Sequence, residues 1–204
     1  MAINNIFKTY EETILRRLNV TYSGLHWCEL GNQRFGSVAA KTVYQRKGVI
    51  HTSIDINGLD GAIPLDLDTP IPANMRQKFR VVTNYGTSEH VNNQYSAFKN
   101  VHDLCGHGGI MIHGLPLVNN WHNHCRYRYL RSFFDRLASV CSYTCVDIHI
   151  FNTDNYKKPF NLISCVLVKE KDAEFISEVV FKTIPGIHDS KDLRYTGNYT
   201  KKKV

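Results

Sequence analysis

No apolar run in the chain approaches the roughly 20 residues that a membrane-spanning helix requires. The opening stretch, Met1 to Asn19, also lacks the compact apolar centre and small-residue cleavage site of a secretory leader. A cytoplasmic location with no membrane partner is therefore the expectation. Among the six cysteines, Cys141 and Cys145 lie close together, but no second Cys/His pair at zinc-site spacing accompanies them. The one local metal-like cluster, His122, His124 and Cys125 within "WHNHC", falls short of the four spaced ligands of a closed zinc site. No metal is expected. Cys28, Cys105 and Cys165 sit in apolar segments, where a buried thiol behaves as a small hydrophobe. Internal repeats and low-complexity tracts are absent too.

Acidic groups are in the minority. The balance of 18 Asp and Glu against 25 Lys and Arg gives a net charge of +7, which suits anionic partners such as phosphates or nucleic acid. Part of that excess is Lys201 to Lys203, a solvated tail by pattern. An apolar content of 43% decides for a globular protein over a disordered one. The 204 residues suit a single domain: an N-terminal helix over 1–20, a core over 21–170, and a C-terminal helix with a basic tail over 171–204.

Ile6, Phe7, Tyr10, Ile14, Leu15 and Leu18 recur near helical spacing and predict the N-terminal helix. "GLHWCEL" reads as a strand and "SVAAKTVYQRKG" as a helix stopped by Gly48. The β-branched run "VIHTSID" predicts a strand ending near Asp55, and only a short strand fits around Ala62 to Leu65. "FRVVTNYGT" is a further strand. A helix over 89–109 is then expected, stopped by Gly106 to Gly109 and followed by the strand "IMIHGLP". A helix over 129–141 and two strands, "CVDIHIF" and "NLISCVLVKEK", close the pattern. Alternating strands and helices imply a parallel sheet covered on both faces. The last two strands are joined by too few residues for a crossover helix, so they form an antiparallel hairpin.

Three stretches converge where such sheets bind ligands, outside the carboxyl ends of the strands. Gly31 in "ELGNQ" lets the backbone turn tightly and approach a ligand. Asp55, at the end of the next strand, is placed to accept from ribose hydroxyls. Asp66, in "PLDL", can meet an adenine amino group, and "TNYG" supplies a floor at Asn84 to Gly86. Singly, each serves equally well as a turn former or helix cap. Their order along the chain is what carries the signal.

With "ELGNQ", "SIDIN", "PLDL" and "VVTNYGTSEHV" in this order, the chain resembles the class I S-adenosylmethionine-dependent methyltransferases from about Leu25 to Lys169. "FKNVHDLCGHGGIMIH" is similar to the helix, Gly-Gly turn and fifth strand of that family. The resemblance implies a Rossmann-like three-layer α/β sandwich, with a mostly parallel seven-stranded sheet and a C-terminal antiparallel strand. It implies S-adenosyl-L-methionine as cofactor, with Glu29, Gly31, Asn32 and Gln33 beside its methionine part. Asp55 and Ile56 would meet the ribose, Asp66 and Leu67 the adenine, and Asn84 and Gly86 would form the floor. Two positions depart from the pattern: Gln33 where members often have a second glycine, and Cys125 where related proteins have one.

Methyl transfer to oxygen is helped by a general base with a pKa near working pH, a range that suits histidine. Glu89 and His90, at the entrance to the helix after the fourth strand, are the first candidates, with His113 and His124 as alternatives. Glu89 could equally complement the N-terminal end of that helix. His102 falls mid-helix and reads as structural. Trp121, Tyr127 and Tyr129 could floor an acceptor pocket, whereas Phe133, Phe134 and Leu137 recur at core spacing. Substrate recognition would fall to residues 1–24, 114–128 and 152–160. The resulting expectation is methyl transfer to a small-molecule or carbohydrate-like acceptor, with nucleic acid less favoured as a partner. The rival is a non-catalytic methyltransferase-like module that binds RNA or a protein. A nicotinamide-dependent oxidoreductase is disfavoured, because the full Gly-x-Gly-x-x-Gly pattern is missing.

Overall fold

The computed structural model describes residues 5–152 and 161–197. The loop over 153–160 and the basic tail lie outside the described residues. In chain order the elements begin with α1 (Asn5–Arg17), β1 (His26–Leu30), β2 (Arg34–Phe35), β3 (Val38–Ala39), α2 (Ala40–Arg46), β4 (Ile50–Ile54) and β5 (Phe79–Tyr85). There follow α3 (Gln94–Leu104), β6 (Cys105–Pro116), β7 (Tyr127–Tyr129), α4 (Arg131–Val140), β8 (Thr144–Asn152), β9 (Asn161–Val168), α5 (Glu178–Lys182) and β10 (Ile187–Asp189).

The central sheet runs β4-β1-β5-β6-β9-β8. β4, β1, β5 and β6 are mutually parallel, while β9 lies antiparallel to both β6 and β8. The expected terminal hairpin is therefore β8–β9. Alternation along each strand sends side chains to two cores. Trp27, Val81, Ile110 and Val166 pack with Phe7, Ile14 and Leu15 of α1 and Tyr44 of α2. Leu30, Val82, Met111 and Cys165 pack on the other face with Phe98 of α3, Phe133 and Phe134 of α4, and Phe181 of α5.

The sheet has six strands, one fewer than expected. At its β4 edge the missing strand shrinks to a single parallel bridge, Ile54 to Ile63. Ile63 N donates to Ser53 O at 2.8 Å, and Asp55 N to Ile63 O at 3.1 Å. Pro64 follows at once, has no N–H to extend the ladder, and ends the pairing.

Two further elements depart from the sequence pattern. The residues expected to open the helix after β1 form a hairpin, β2–β3, about Gly36 (φ 60°) and Ser37, so α2 is shorter than expected. The long helix over 89–109 divides into a 3-10 turn at Ser88–His90 and α3, capped by the Asn93 side chain accepting from Ser96 N. Gly106 to Gly109 do not stop a helix; they are the first residues of β6. A Cβ on Gly106 would lie 3.0 Å from Gln77 O, and one on Gly109 would lie 2.5 Å from Cys105 Sγ. Glycine is required there because the entering strand crowds its neighbour, opposite a register shift between Phe79 and Val81.

The C-terminal segment returns to the main body through β10, which pairs antiparallel with β7. Arg126 grips Asp189 with Nε to Oδ1 and Nη2 to Oδ2, both 2.9 Å. That two-pronged ion pair holds Asp189 well below the usual carboxylate range. Among the described residues no helix is long and apolar enough to cross a membrane.

Candidate functional site

A solvent-open cleft of about 200 Å³ lies at the carboxyl ends of β1, β4 and β5. One end is built from Asp55, Ile56 and Asn57 after β4 and from Leu65 to Asp68 after the Ile63 bridge. The other end is built from Gly31, Gln33, Gly86, Thr87 and His90. Gly197, far away in sequence, joins the lining.

Local hydrogen bonds shape the first end. Gly31 turns the chain out of β1 at φ 79°, with its N–H donating to Ile54 O at 2.7 Å. The next amide, Asn32 N, donates to Asp55 Oδ2 at 2.8 Å, and Asn57 N donates to Asp55 Oδ1 at 3.0 Å. Each carboxylate oxygen keeps further lone-pair capacity for a hydroxyl in the cleft. The Asn32 side chain is turned away, donating to Leu59 O at 3.1 Å and Asp60 Oδ2 at 2.8 Å. Asp66 Oδ1 accepts from Asp68 N at 2.9 Å, and Asp68 Oδ1 from Asn93 N at 2.5 Å, which anchors this loop to the start of α3. Ile56, Leu65, Leu67 and Val91 supply apolar walls around these carboxylates.

At the second end, His90 is fixed by the C-terminal segment. His90 Nδ1 lies 2.8 Å from Tyr195 O, and His90 O accepts from Gly197 N at 2.9 Å. A carbonyl oxygen only accepts, so Nδ1 carries the proton, and in the neutral ring Nε2 holds the lone pair. Nε2 stands 3.8 Å from Glu89 Oε1. Glu89 is fully buried, and neither carboxyl oxygen has a hydrogen-bond partner among the described residues. Burial pushes its pKa up to about 8, so it is mostly protonated at neutral pH. The His124 ring stands 5.4 Å from that of His90 and 4.9 Å from that of Trp121, with Cys125 buried beside them.

Of the residues expected to form the site, Gly31, Asn32, Gln33, Asp55, Ile56, Asp66, Leu67, Gly86 and His90 share this cleft. Five do not line it, His124 among them, its ring 5.4 Å from that of His90. Glu29 is fully buried beneath the Gln33 segment, with Gln33 N 3.4 Å from its Oε2. Burial raises Glu29 to about 8 and lowers His51, 3.8 Å away, to about 4, so at neutral pH they meet as neutral groups and not as an ion pair. Asn84 is a core residue: Oδ1 accepts from Ser88 N at 3.1 Å, and Nδ2 donates to Ser88 Oγ at 3.0 Å. His113, an alternative candidate for the base, is packed in the core. Its ring stacks on Phe98 at 5.3 Å, its Nδ1 lies 3.2 Å from Asn84 Nδ2, and burial depresses its pKa to about 3. Glu89 reaches the cleft only through His90. No three of the described His, Cys, Asp and Glu residues gather as metal ligands.

The pattern missed Asn57, Leu65, Asp68, Thr87, Val91 and Gly197. Asp68 repeats the Asp66 signal two residues on, and Thr87 follows the glycine exit of β5, so both were within reach of the same reasoning. Gly197 carries no local signal.

No family model and no curated protein matches the sequence. Solved structures do match the fold. A 1,6-didemethyltoxoflavin-N1-methyltransferase of Burkholderia thailandensis superposes with a TM-score of 0.59 at 10% identity, over 78% of this chain and 76% of that one. It was solved with 1,6-didemethyltoxoflavin and S-adenosylhomocysteine bound. The fold is that of the class I methyltransferases. An S-adenosylmethionine-dependent methyltransferase of Archaeoglobus fulgidus matches at a TM-score of 0.53 and 9% identity, over 79% of this chain and 94% of that one. A 16S rRNA (adenine(1408)-N(1))-methyltransferase variant of Catenulisporales acidiphilia matches at 0.51 and 10% identity, over 75% and 89%. At such identities the likeness establishes architecture; one class I methyltransferase fold serves small-molecule and ribosomal acceptors alike.

Proposed function

We propose that this chain is an S-adenosyl-L-methionine-dependent methyltransferase acting on a small-molecule or carbohydrate-like acceptor in the cytoplasm. The observation that carries the reading is that Gly31, Asp55 and Asp66, from three separate strand ends, line one cleft.

The nucleoside half of the cofactor fits the residues present. The Asp55 carboxylate is oriented by two backbone N–H donors and faces the cleft with capacity for a diol. Ile56, Leu65, Leu67 and Val91 form apolar walls suited to a planar base, and Asp66 and Asp68 stand at the edge of those walls. The cofactor would supply an electrophilic methyl on a sulfonium, so the protein's own task is alignment and proton handling. His90 is the group placed for the second task. Its ring is oriented by Tyr195 O, and its Nε2 side is backed by the protonated Glu89. His124 and Trp121 extend from His90 as one wall of an acceptor pocket. His90 takes up the acceptor's proton at Nε2, beside the neutral Glu89 carboxyl.

The experiment is turnover with tritiated cofactor against pooled small-molecule acceptors. Label transfer that vanishes in His90→Ala supports the reading. Absence of cofactor binding would instead favour the non-catalytic module, for which a salt-sensitive RNA gel shift unaffected by Asp55→Ala is the positive result. What favours that second reading is the side chain of Gln33 standing in the cofactor loop.

A further inference from the structure

We infer that Gln33 determines what the cleft accepts: its side chain fills the passage between the nucleoside end and the His90 end, so the cleft as folded admits a nucleoside, and admits the full cofactor only when Gln33 swings out. This rests on the cofactor reading above and deepens it.

The two ends of the cleft fix the route of any adenosyl ligand. With the ribose at Asp55 and the methyl directed at His90, the sulfur that joins them, and the amino-acid arm it carries, would lie over the floor formed by Gly31, Gly86 and Thr87. That floor is covered. A Cβ on Gly31 would lie 2.8 Å from Gln33 Nε2 and would collide with Thr87 Oγ1. Gln33 is only 2% exposed, with Nε2 directed to Thr87 Oγ1 at 3.4 Å, and Thr87 Oγ1 in turn donates to Leu30 O at 2.7 Å. Because Gly31 offers no side chain, this pair reaches the backbone itself and closes the space a smaller residue would leave open.

The covering is weakly held. The Gln33–Thr87 hydrogen bond is long, and Gln33 Oε1 is buried with no donor among the described residues. Rotation of the side chain into solvent would satisfy that oxygen and uncover the floor. The backbone would stay in place, since Gln33 O accepts from Ala40 N at 2.9 Å. A ligand that needs the open position then binds with its affinity reduced by the closed fraction, whereas one that stops at the ribose pays nothing.

Titration calorimetry with adenosine and with S-adenosylhomocysteine separates these cases in the wild type, Gln33→Ala and Gln33→Leu. Gln33→Ala should tighten S-adenosylhomocysteine about tenfold, a free-energy change of roughly 1.4 kcal/mol, and leave adenosine within about twofold. Gln33→Leu, which fills the space but gains nothing from water, should weaken S-adenosylhomocysteine and spare adenosine. Adenosine binding in all three proteins shows that both variants retain the fold. If S-adenosylhomocysteine binds the wild type and Gln33→Ala equally, or binds the variant more weakly, Gln33 is not an obstacle and the inference fails while the cofactor reading stands. If neither ligand binds the folded wild type, the cofactor reading fails and this inference with it.

Discussion

The backbone amide of Asn32 donates to the carboxylate of Asp55 at 2.8 Å, tying the turn after β1 to the end of β4. Two segments separated by a whole helix thereby share one hydrogen bond. Replacing Asp55 removes the orienting contact and, in the proposed function, the cleft's acceptor for hydroxyls. Asp55→Ala should weaken S-adenosylhomocysteine by about tenfold to a hundredfold, since a hydrogen bond to a charged group contributes about 1.5–3 kcal/mol. Calorimetric titration measures it, with a near-native circular dichroism spectrum as control.

His90 and Glu89 should separate from the binding residues in kinetics. His90→Ala is expected to lower kcat by about 10²–10⁴-fold, Glu89→Gln, which keeps that group neutral, by less, and neither to change cofactor affinity by more than about threefold. Equal loss in kcat and in affinity would place them in binding instead.

The pH dependence of stability follows from groups buried in their neutral forms. Burial raises Glu11 to about 7 and Glu29 and Glu89 to about 8; it lowers His51 and His102 to about 4 and His113 to about 3. The raised acids stabilise the fold fully below the unfolded glutamate pKa of 4.5, and that contribution is lost as pH rises to about 8. The lowered histidines act oppositely, contributing fully above their unfolded pKa of 6.5 and losing the contribution as pH falls to about 4. The two sets oppose each other between pH 4.5 and 6.5. Above that the histidine contribution is complete and the three acids, opposed by the Cys145 thiol lowered to about 7, set the trend, so Tm should fall from about pH 6.5 to 8. The difference in Tm between Glu89→Gln and wild type should grow over the same range, reaching roughly 5 °C or more at pH 8. Scanning calorimetry across pH tests this.

Docking of α1 depends on Gly114. A Cβ there would stand 2.5 Å from Phe7 Cε1 and 2.9 Å from Tyr85 Cδ1. Phe7 also packs on Phe151, ring centroids 4.8 Å apart, so it has little room to retreat. Gly114→Ala should destabilise the protein by about 1–3 kcal/mol, read as a lower urea midpoint.

The strand ends were legible because they depend on local chemistry. Gly31 leaves a strand at positive φ, Asp55 ends a β-branched run, and both keep their meaning without knowledge of the rest of the fold. The hairpin at Arg34 to Ala39 was not legible, since Val38 and Ala39 fit a helical pattern as well as a two-residue strand. Gly106 and Gly109 read as helix terminators until Gln77 and Cys105, brought in by tertiary packing, show why they must lack side chains. His113 looked suited to catalysis because it sits on β6 near the strand's carboxyl end; only the packing of α3 shows that Phe98 covers it. Gly197 joins the cleft through the pairing of β10 with β7, a relation that no window of sequence contains.

The central claim is that the cleft between Gly31, Asp55 and His90 holds S-adenosyl-L-methionine. Titration calorimetry of the wild-type protein with that cofactor, carried to millimolar concentration, tests it most directly. The account predicts saturable heat at one site per chain, abolished or strongly weakened in Asp55→Ala. No heat at millimolar cofactor, from protein that remains folded, would contradict it.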